Sequence, residues 1–280
     1  MIAFTLLVSG MLVCIRMIPG NLHPFQLAFF RNLFGLLLLM GWQSKKGLKF
    51  LKTPYLKLHL IRGVFNVLAM LAYFYAVFIT PIASIAALTF TSPLFASLLA
   101  IFFLKEPPRF ERLFTIAVGI TGAFVILRPS SESINLGPIL ILLSAVSWSV
   151  VLLVIKKLSR NDSSLTIATY MVIFTTPFTF LAALPFWQWP DLSQLIWLLL
   201  MSTFGTVGQI SLAQSFKLAE ASAVLPLDFL QLVWGALMGF LLFGEVPDRW
   251  VWIGGFTIFL SATYLALKES RSPETSVASP

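Results

Sequence analysis

A chain of 280 residues with one cysteine and two histidines is short of the groups from which most active sites are built. Cys14 has no partner for an internal disulfide. It joins no metal cluster either, because His23 and His59 fall near opposite ends of hydrophobic runs. No GxxxxGK[ST] loop is present, which removes ATP as an energy source, and neither a nucleophile elbow nor an HExxH pair occurs. No enzyme activity, no cofactor and no bound metal are therefore expected. Charge is scarce too: only 11% of residues are Asp, Glu, Lys or Arg, against roughly 25% in an ordinary soluble domain.

What is abundant is apolar. Hydrophobic residues make up 58% of the chain, with 27 Phe and 8 Trp. A helix crossing lipid needs about 20 consecutive apolar residues, because no water is available there to satisfy an exposed backbone. Apolar runs between charged or Pro/Gly-rich breaks give ten spans, at 1–16, 24–42, 58–79, 82–104, 111–128, 136–155, 165–186, 193–216, 220–243 and 250–267. The first is short. No basic segment precedes it and no small-residue cleavage site follows, so it reads as a span with a start placed slightly late rather than as a signal peptide.

The basic residues test that count, since Lys and Arg are retained on the cytoplasmic side. With the N-terminus inside, the outer loops hold only Arg16, Arg128 and Arg249, and Arg31 lies within a span; the rest of the 19 Lys and Arg fall in inner loops and the tail. Both termini are thus expected to be cytoplasmic. Trp187, Trp189, Trp197, Trp250 and Trp252 gather at the outer interface as an aromatic belt. The net charge of +8 is mostly topology, spread over short loops, and no nucleic-acid partner is expected. The expected partners are the lipid bilayer and a small-molecule solute, with the chain a monomer or homodimer. The polar stretch 270–280 is expected to be a disordered cytoplasmic tail.

The chain also repeats. At a shift of 139 or 140 residues Arg16 meets Lys156, Ala83 meets Ser222, Phe90 meets Phe229, Glu106 meets Glu245 and Pro108 meets Pro247. Ala96 and Ala100 fall on Gly235 and Gly239, a spacing that lets helices approach closely. Units of five spans, 1–128 and 136–268, put the second copy upside down in the membrane. Inverted repeats suit a secondary transporter whose site lies between halves that rock against each other; a duplication that merely builds a stable bundle is the alternative.

The stretches HPFQLAFFRNLF, LIRGVFNVLAMLAYFYAV, LTFTSPLFASLLAIFFLKE and VLPLDFLQLVWGALMGFLLFGEVPD resemble the EamA-type branch of the drug/metabolite transporter superfamily, over nearly the whole chain. Within it the likeness is greatest to the group that includes S-adenosylmethionine uptake carriers. The resemblance implies an all-α membrane protein of ten helices in two inverted five-helix repeats, with a central cavity lined by spans 1–4 and 6–9. Relatives carry an earlier, Trp-containing start to span 1, and its absence here bears on any substrate role of that span.

Embedded polar residues mark the expected site, because an ionisable group within a span faces the bundle interior or a water-filled cavity. Asp228 lies roughly 10 Å into span 9, with Gln231 and Trp234 on its face. The matched positions in the first repeat are Thr89 and Ser92. Pro93 and Pro226 beside them are read as hinges that free a backbone carbonyl, or as ordinary membrane-helix prolines. Arg31 either grips a substrate carboxylate or ties helices together. Arg62 is expected to snorkel to headgroups and Asn66 to line the cavity or a helix contact. Tyr73, Tyr75, Trp148, Tyr170 and Trp234 offer stacking surfaces for a substrate, or packing. Glu106 and Glu245 are expected to cap or pair at the start of the next helix. A zwitterionic or cationic amino-acid-type metabolite fits this set, with uptake or exchange of an S-adenosylmethionine-like solute; drug or amino-acid efflux, a membrane scaffold and a lipid-handling protein remain alternatives. Either a proton carried by Asp228 or exchange would drive transport.

Overall fold

The computed structural model describes residues 1–20, 22–43, 53–103, 110–127, 136–219 and 224–271. Among these every regular element is helical: α1 (Ile2–Met17), α2 (Pro24–Gln43), α3 (Leu56–Ile79), α4 (Ile82–Thr89), α5 (Ser92–Phe103), α6 (Phe110–Leu127), α7 (Leu136–Leu158), α8 (Ser164–Ala183), α9 (Leu192–Leu218), α10 (Leu230–Phe243) and α11 (Arg249–Arg271). Short 3-10 turns at Leu184–Phe186 and Leu225–Phe229 extend α8 and precede α10. Eight stretches are long and apolar enough to cross a membrane: α2, α3, the α4–α5 pair, α6, α7, α8 with its 3-10 extension, α9 and α11. α1 and Leu227–Phe243 are shorter apolar helices that complete the set of ten. The 16 residues of α1 reach about 24 Å, less than a core of about 30 Å. The tail expected to be disordered and Glu106 lie outside the described residues, apart from the tail's first two positions, which continue α11.

Local chemistry sets the helix ends. Ser163 caps α8 by accepting the Thr166 amide at 3.0 Å, and Asp191 with Gln194 forms a reciprocal capping box at the start of α9. α10 ends where Gly244 takes the left-handed conformation, φ 65°, and Glu245 N–H bonds back to Gly239 C=O at 3.0 Å. The fourth span breaks at Phe90 and Thr91, in the middle of an apolar run.

The prolines depart from expectation. Pro93 is the second residue of α5 and Pro226 the second of the Leu225–Phe229 turn, both positions where a missing N–H costs little. Neither therefore interrupts a continuous helix. The Thr89 carbonyl, four residues before Pro93, is taken by the Ser92 hydroxyl at 2.7 Å. The proline that lies inside a helix is Pro177, in α8.

Pairing between the halves is reciprocal. α1 packs on α9 and α3 on α7, and exchanging the repeats turns the first contact into the second. α2 with α8, the fourth span with α10, and α6 with α11 each pair with their own counterpart. This is the arrangement of two inverted five-helix repeats. Small residues bring the counterparts close: Ala83, Ala86 and Ala87 pack on Leu232, Ala236 and Val251, and a Cβ added at Gly122 of α6 would stand 2.8 Å from the Gly254 carbonyl of α11. Gly235 faces Ala86 and Ile82 on α4.

Candidate functional site

α3 exposes one apolar face and on the other carries buried polar residues, His59, Arg62 and Asn66. Arg62 is 1% exposed, which corrects the expectation that it snorkels. Neighbouring helices offer it acceptors: Nη1 donates to Ile167 C=O of α8 at 2.6 Å and Nη2 to Gln209 Oε1 of α9 at 3.4 Å. Arg31 on α2 is arranged alike, donating to Asn32 Oδ1 at 3.0 Å and to Gly205 C=O of α9 at 3.2 Å. Gly205 makes that approach possible, since a Cβ there would stand 2.8 Å from Arg31 Nε. Each guanidinium keeps one Nε without a partner among the described residues, and the two lie within each other's field. Asn32 extends the net to Thr179 Oγ1 at 3.3 Å.

A second group of polar atoms, without partners among the described residues, includes Asp228. The residue is half-buried, but its Oδ1 has no solvent access and no hydrogen-bond partner among the described residues. Its field reaches the Tyr73 hydroxyl on α3, which is also buried and unpartnered. Trp234 Nε1, on α10, and Asn66 Nδ2, two turns of α3 before Tyr73, are unpartnered donors. Gln231 is 6% exposed. A buried polar group left without a partner costs roughly 1–3 kcal/mol, so several together call for water or a solute. An acceptor (Asp228) and donors (Asn66, Trp234), with a hydroxyl capable of both, is a set suited to a small polar molecule.

Other expected residues are used differently. Thr89 Oγ1 donates to Ile85 C=O and Ser92 Oγ to Thr89 C=O, both at 2.7 Å, so both hydroxyl protons serve the backbone of α4. Trp148 packs beside the cluster of Val151, Leu152 and Ile155. Tyr170 stacks on His59 with ring centroids 4.5 Å apart. Tyr75 is 37% exposed and lies 6.4 Å from the rings of His23 and Phe25. His23 itself stacks on Phe186 at 3.6 Å, and burial there lowers its pKa. Apolar hollows lined by Phe34, Leu37, Leu38, Gly41 and Leu199, and by Trp252, Ile253, Phe256, Thr257 and Leu260, lie apart from this polar interior.

Sequence reasoning missed two polar contacts between the halves. Arg16 at the end of α1 forms an ion pair with Glu245, and Glu245 Oε2 accepts the Ile82 N–H at the start of α4 at 2.9 Å. Glu245 does cap a helix, but the helix begins 163 positions earlier in the chain rather than next in order. Asp162, between α7 and α8, accepts from His59 Nε2 at 2.9 Å and from Thr53 Oγ1 at 2.9 Å. Partners so remote in sequence leave no periodicity or spacing to read.

Comparison with known proteins agrees with this architecture. The model of the EamA-like transporter family matches residues 1–128 and again 135–267. An S-adenosylmethionine uptake transporter of Rickettsia bellii is 28% identical over 252 residues, covering 90% of this chain and 87% of the relative. A riboflavin transporter of Vibrio cholerae is 34% identical over 224 residues, with 79% and 75% covered. A pseudopaline exporter of Pseudomonas aeruginosa is 28% identical over 271 residues, with 94% and 93% covered. One crystal structure superposes with a TM-score of 0.67 at 19% identity, covering 96% of this chain and 97% of that one, a likeness of fold alone.

Proposed function

Because the chain belongs to the EamA-like transporter family, we propose that it is a secondary carrier, not an enzyme, that binds a cationic or zwitterionic amino-acid-type solute at Asp228. Tyr73, Asn66, Gln231 and Trp234 complete the site. The observation that carries this reading is the buried Asp228 Oδ1, without a hydrogen-bond partner among the described residues, whose field reaches the unpartnered Tyr73 hydroxyl: a carboxylate so placed in a membrane interior recruits positive charge. Residues 1–128 and 136–268 are the inverted repeats, the membrane is the inner (plasma) membrane, and both termini are cytoplasmic. Arg31 and Arg62 tie helices together, and Thr89 and Ser92 keep only their hydroxyl lone pairs for the solute. Pro93 and Pro226 bend the site by letting the fourth and ninth spans start anew beside it.

Uptake of an S-adenosylmethionine-like solute is the leading direction, supported by the likeness to the uptake transporter of Rickettsia bellii. Export is the second reading, and the pseudopaline exporter matched over 94% of this chain favours it. The test is a binding screen by thermal shift on purified protein, with S-adenosylmethionine, riboflavin, lysine and arginine as probes. The reading expects stabilisation by cationic probes that disappears in Asp228→Asn. Stabilisation by riboflavin alone, unaffected by that substitution, would overturn it.

A further inference from the structure

α3 is clasped to the second half of the molecule at both of its ends. At the end near Ile79, Arg16 donates to the carbonyls of Val77, at 3.2 Å, and Thr80 while it pairs with Glu245. Glu245 in turn accepts the Ile82 amide. One carboxylate of the second half thus gathers α1, α3 and α4 of the first. At the start of α3, Asp162 of the second half accepts from His59 and Thr53 of the first. Because successive spans alternate in direction, the ends of α1, α3 and α10 share one membrane face, and the start of α3 shares the other with the α7–α8 connection.

We propose that these contacts are the two gates of the transport pathway, the Arg16–Glu245 pair closing one face and the His59–Asp162 contact the other, each opening while the other holds. The conformation described here, with both made, is the occluded one. The inference rests on the carrier reading, but not on which solute is carried.

Three features distinguish gates from static bolts. Each contact crosses the interface between halves that must part for a solute to leave. Both acidic residues follow the end of a helix, Glu245 behind the left-handed Gly244 and Asp162 within a turn hydrogen-bonded to Leu158 C=O, so release needs no helix to unwind. The cross-half bonds near the middle of the molecule are of another kind. Arg31 to Gly205, Ser202 to Phe30 and Ser144 to Ala69 all end on carbonyls inside helices, and breaking them would strand polar atoms in a dry interior. They form the pivot about which the ends move.

The two gates differ in hydration. Side-chain exposures are 17% for Arg16 and 25% for Glu245, but 0% for His59 and 7% for Asp162. Water can take up the first pair as it parts, whereas the second is drier and costs more to separate. From the occluded state the Arg16–Glu245 face opens more readily.

The experiment replaces Cys14 by Ser and places one reporter, Ala69→Cys, on the α3 face shared with Asn66 and Tyr73. Protein in sealed liposomes is labelled with a membrane-impermeant thiol reagent from one side at a time, without any solute. The gates predict slow labelling of the parent from both sides. Glu245→Gln raises the rate about tenfold from the Arg16 face only, and Asp162→Asn raises it from the opposite face only. Unchanged rates in both variants, or equal rises from both sides, overturn the proposal. Should a variant fail to fold, Arg16→Cys with Glu245→Cys, bridged after purification by a cleavable cross-linker, serves instead. Bridging must then block labelling from the Arg16 face and cleavage must restore it; labelling that persists under the bridge refutes the gate. Because no solute is present, a failure of the Asp228 site leaves these readouts unmoved.

Discussion

Asp228→Asn changes one oxygen for an amide of nearly the same size, and the structure predicts that stability and binding then move in opposite directions. The carboxylate has an inaccessible Oδ1 without a partner among the described residues, and its field reaches the Tyr73 hydroxyl. A carboxylate oxygen kept from water without a hydrogen bond costs about 1–3 kcal/mol, and a neutral amide removes part of that cost while keeping a hydrogen-bonding group in place. An increase in stability of up to about 3 kcal/mol follows, which for a chain of this size raises the Tm by up to roughly 10 °C. Binding moves the other way. A hydrogen bond to a charged group is worth about 1.5–3 kcal/mol, so a cationic solute should bind about 10- to 150-fold more weakly. Thermal unfolding in detergent, read by tryptophan fluorescence with and without S-adenosylmethionine, measures both. A variant that is less stable than the parent and binds equally well would refute the reasoning, because the carboxylate would then be a structural acceptor.

Three further expectations follow from close contacts and charge. Gly122→Ala drives a methyl to 2.8 Å from the Gly254 carbonyl, a backbone atom that moves only with α11, so a loss of about 1–3 kcal/mol should appear in thermal unfolding; Gly41→Ala, whose Cβ meets nothing within 4 Å, should leave stability unchanged or raised by up to about 1 kcal/mol. Gly205→Ala displaces the Arg31 guanidinium from the Gly205 carbonyl and should lower the Tm by a few degrees, with Arg31→Lys failing to restore it because an ammonium lacks the fork. Burial lowers the His23 pKa, so the unfolded chain binds its proton first; that contribution to stability is full above about pH 6.5 and fades as the pH falls through the folded value. A small drop in Tm between pH 7.5 and 5 should therefore shrink in His23→Phe, which keeps the ring on Phe186.

The spans were legible because lipid imposes a rule that sequence cannot evade: apolar runs of one length, with basic residues sorted to one side. The repeat was legible for the same reason, since Phe90, between α4 and α5, and Phe229, at the end of the Leu225–Phe229 turn, sit at equivalent breaks. The environment of single polar groups was harder to read. Arg62 lies near a helix end, where snorkelling is the ordinary outcome, and only the packing of α8 and α9 around α3 supplies the Ile167 carbonyl and Gln209 instead. Pro226 stands in an apolar stretch two residues before Asp228, and the helix starts afresh at the Leu225–Phe229 turn, a break that the hydrophobic pattern does not announce. Thr89 and Ser92 are spaced to share a face, but the break at Phe90 and Thr91 turns their protons onto the backbone.

Solute counterflow tests the account most directly. Liposomes holding purified protein are loaded with unlabelled S-adenosylmethionine and diluted into a trace of labelled solute. The account predicts transient accumulation of label above equilibrium, abolished by Asp228→Asn and arrested by the bridge between positions 16 and 245. Label that only equilibrates, at the same rate as in protein-free liposomes, for S-adenosylmethionine, lysine and arginine alike, would contradict a carrier with a cation-binding site between its halves.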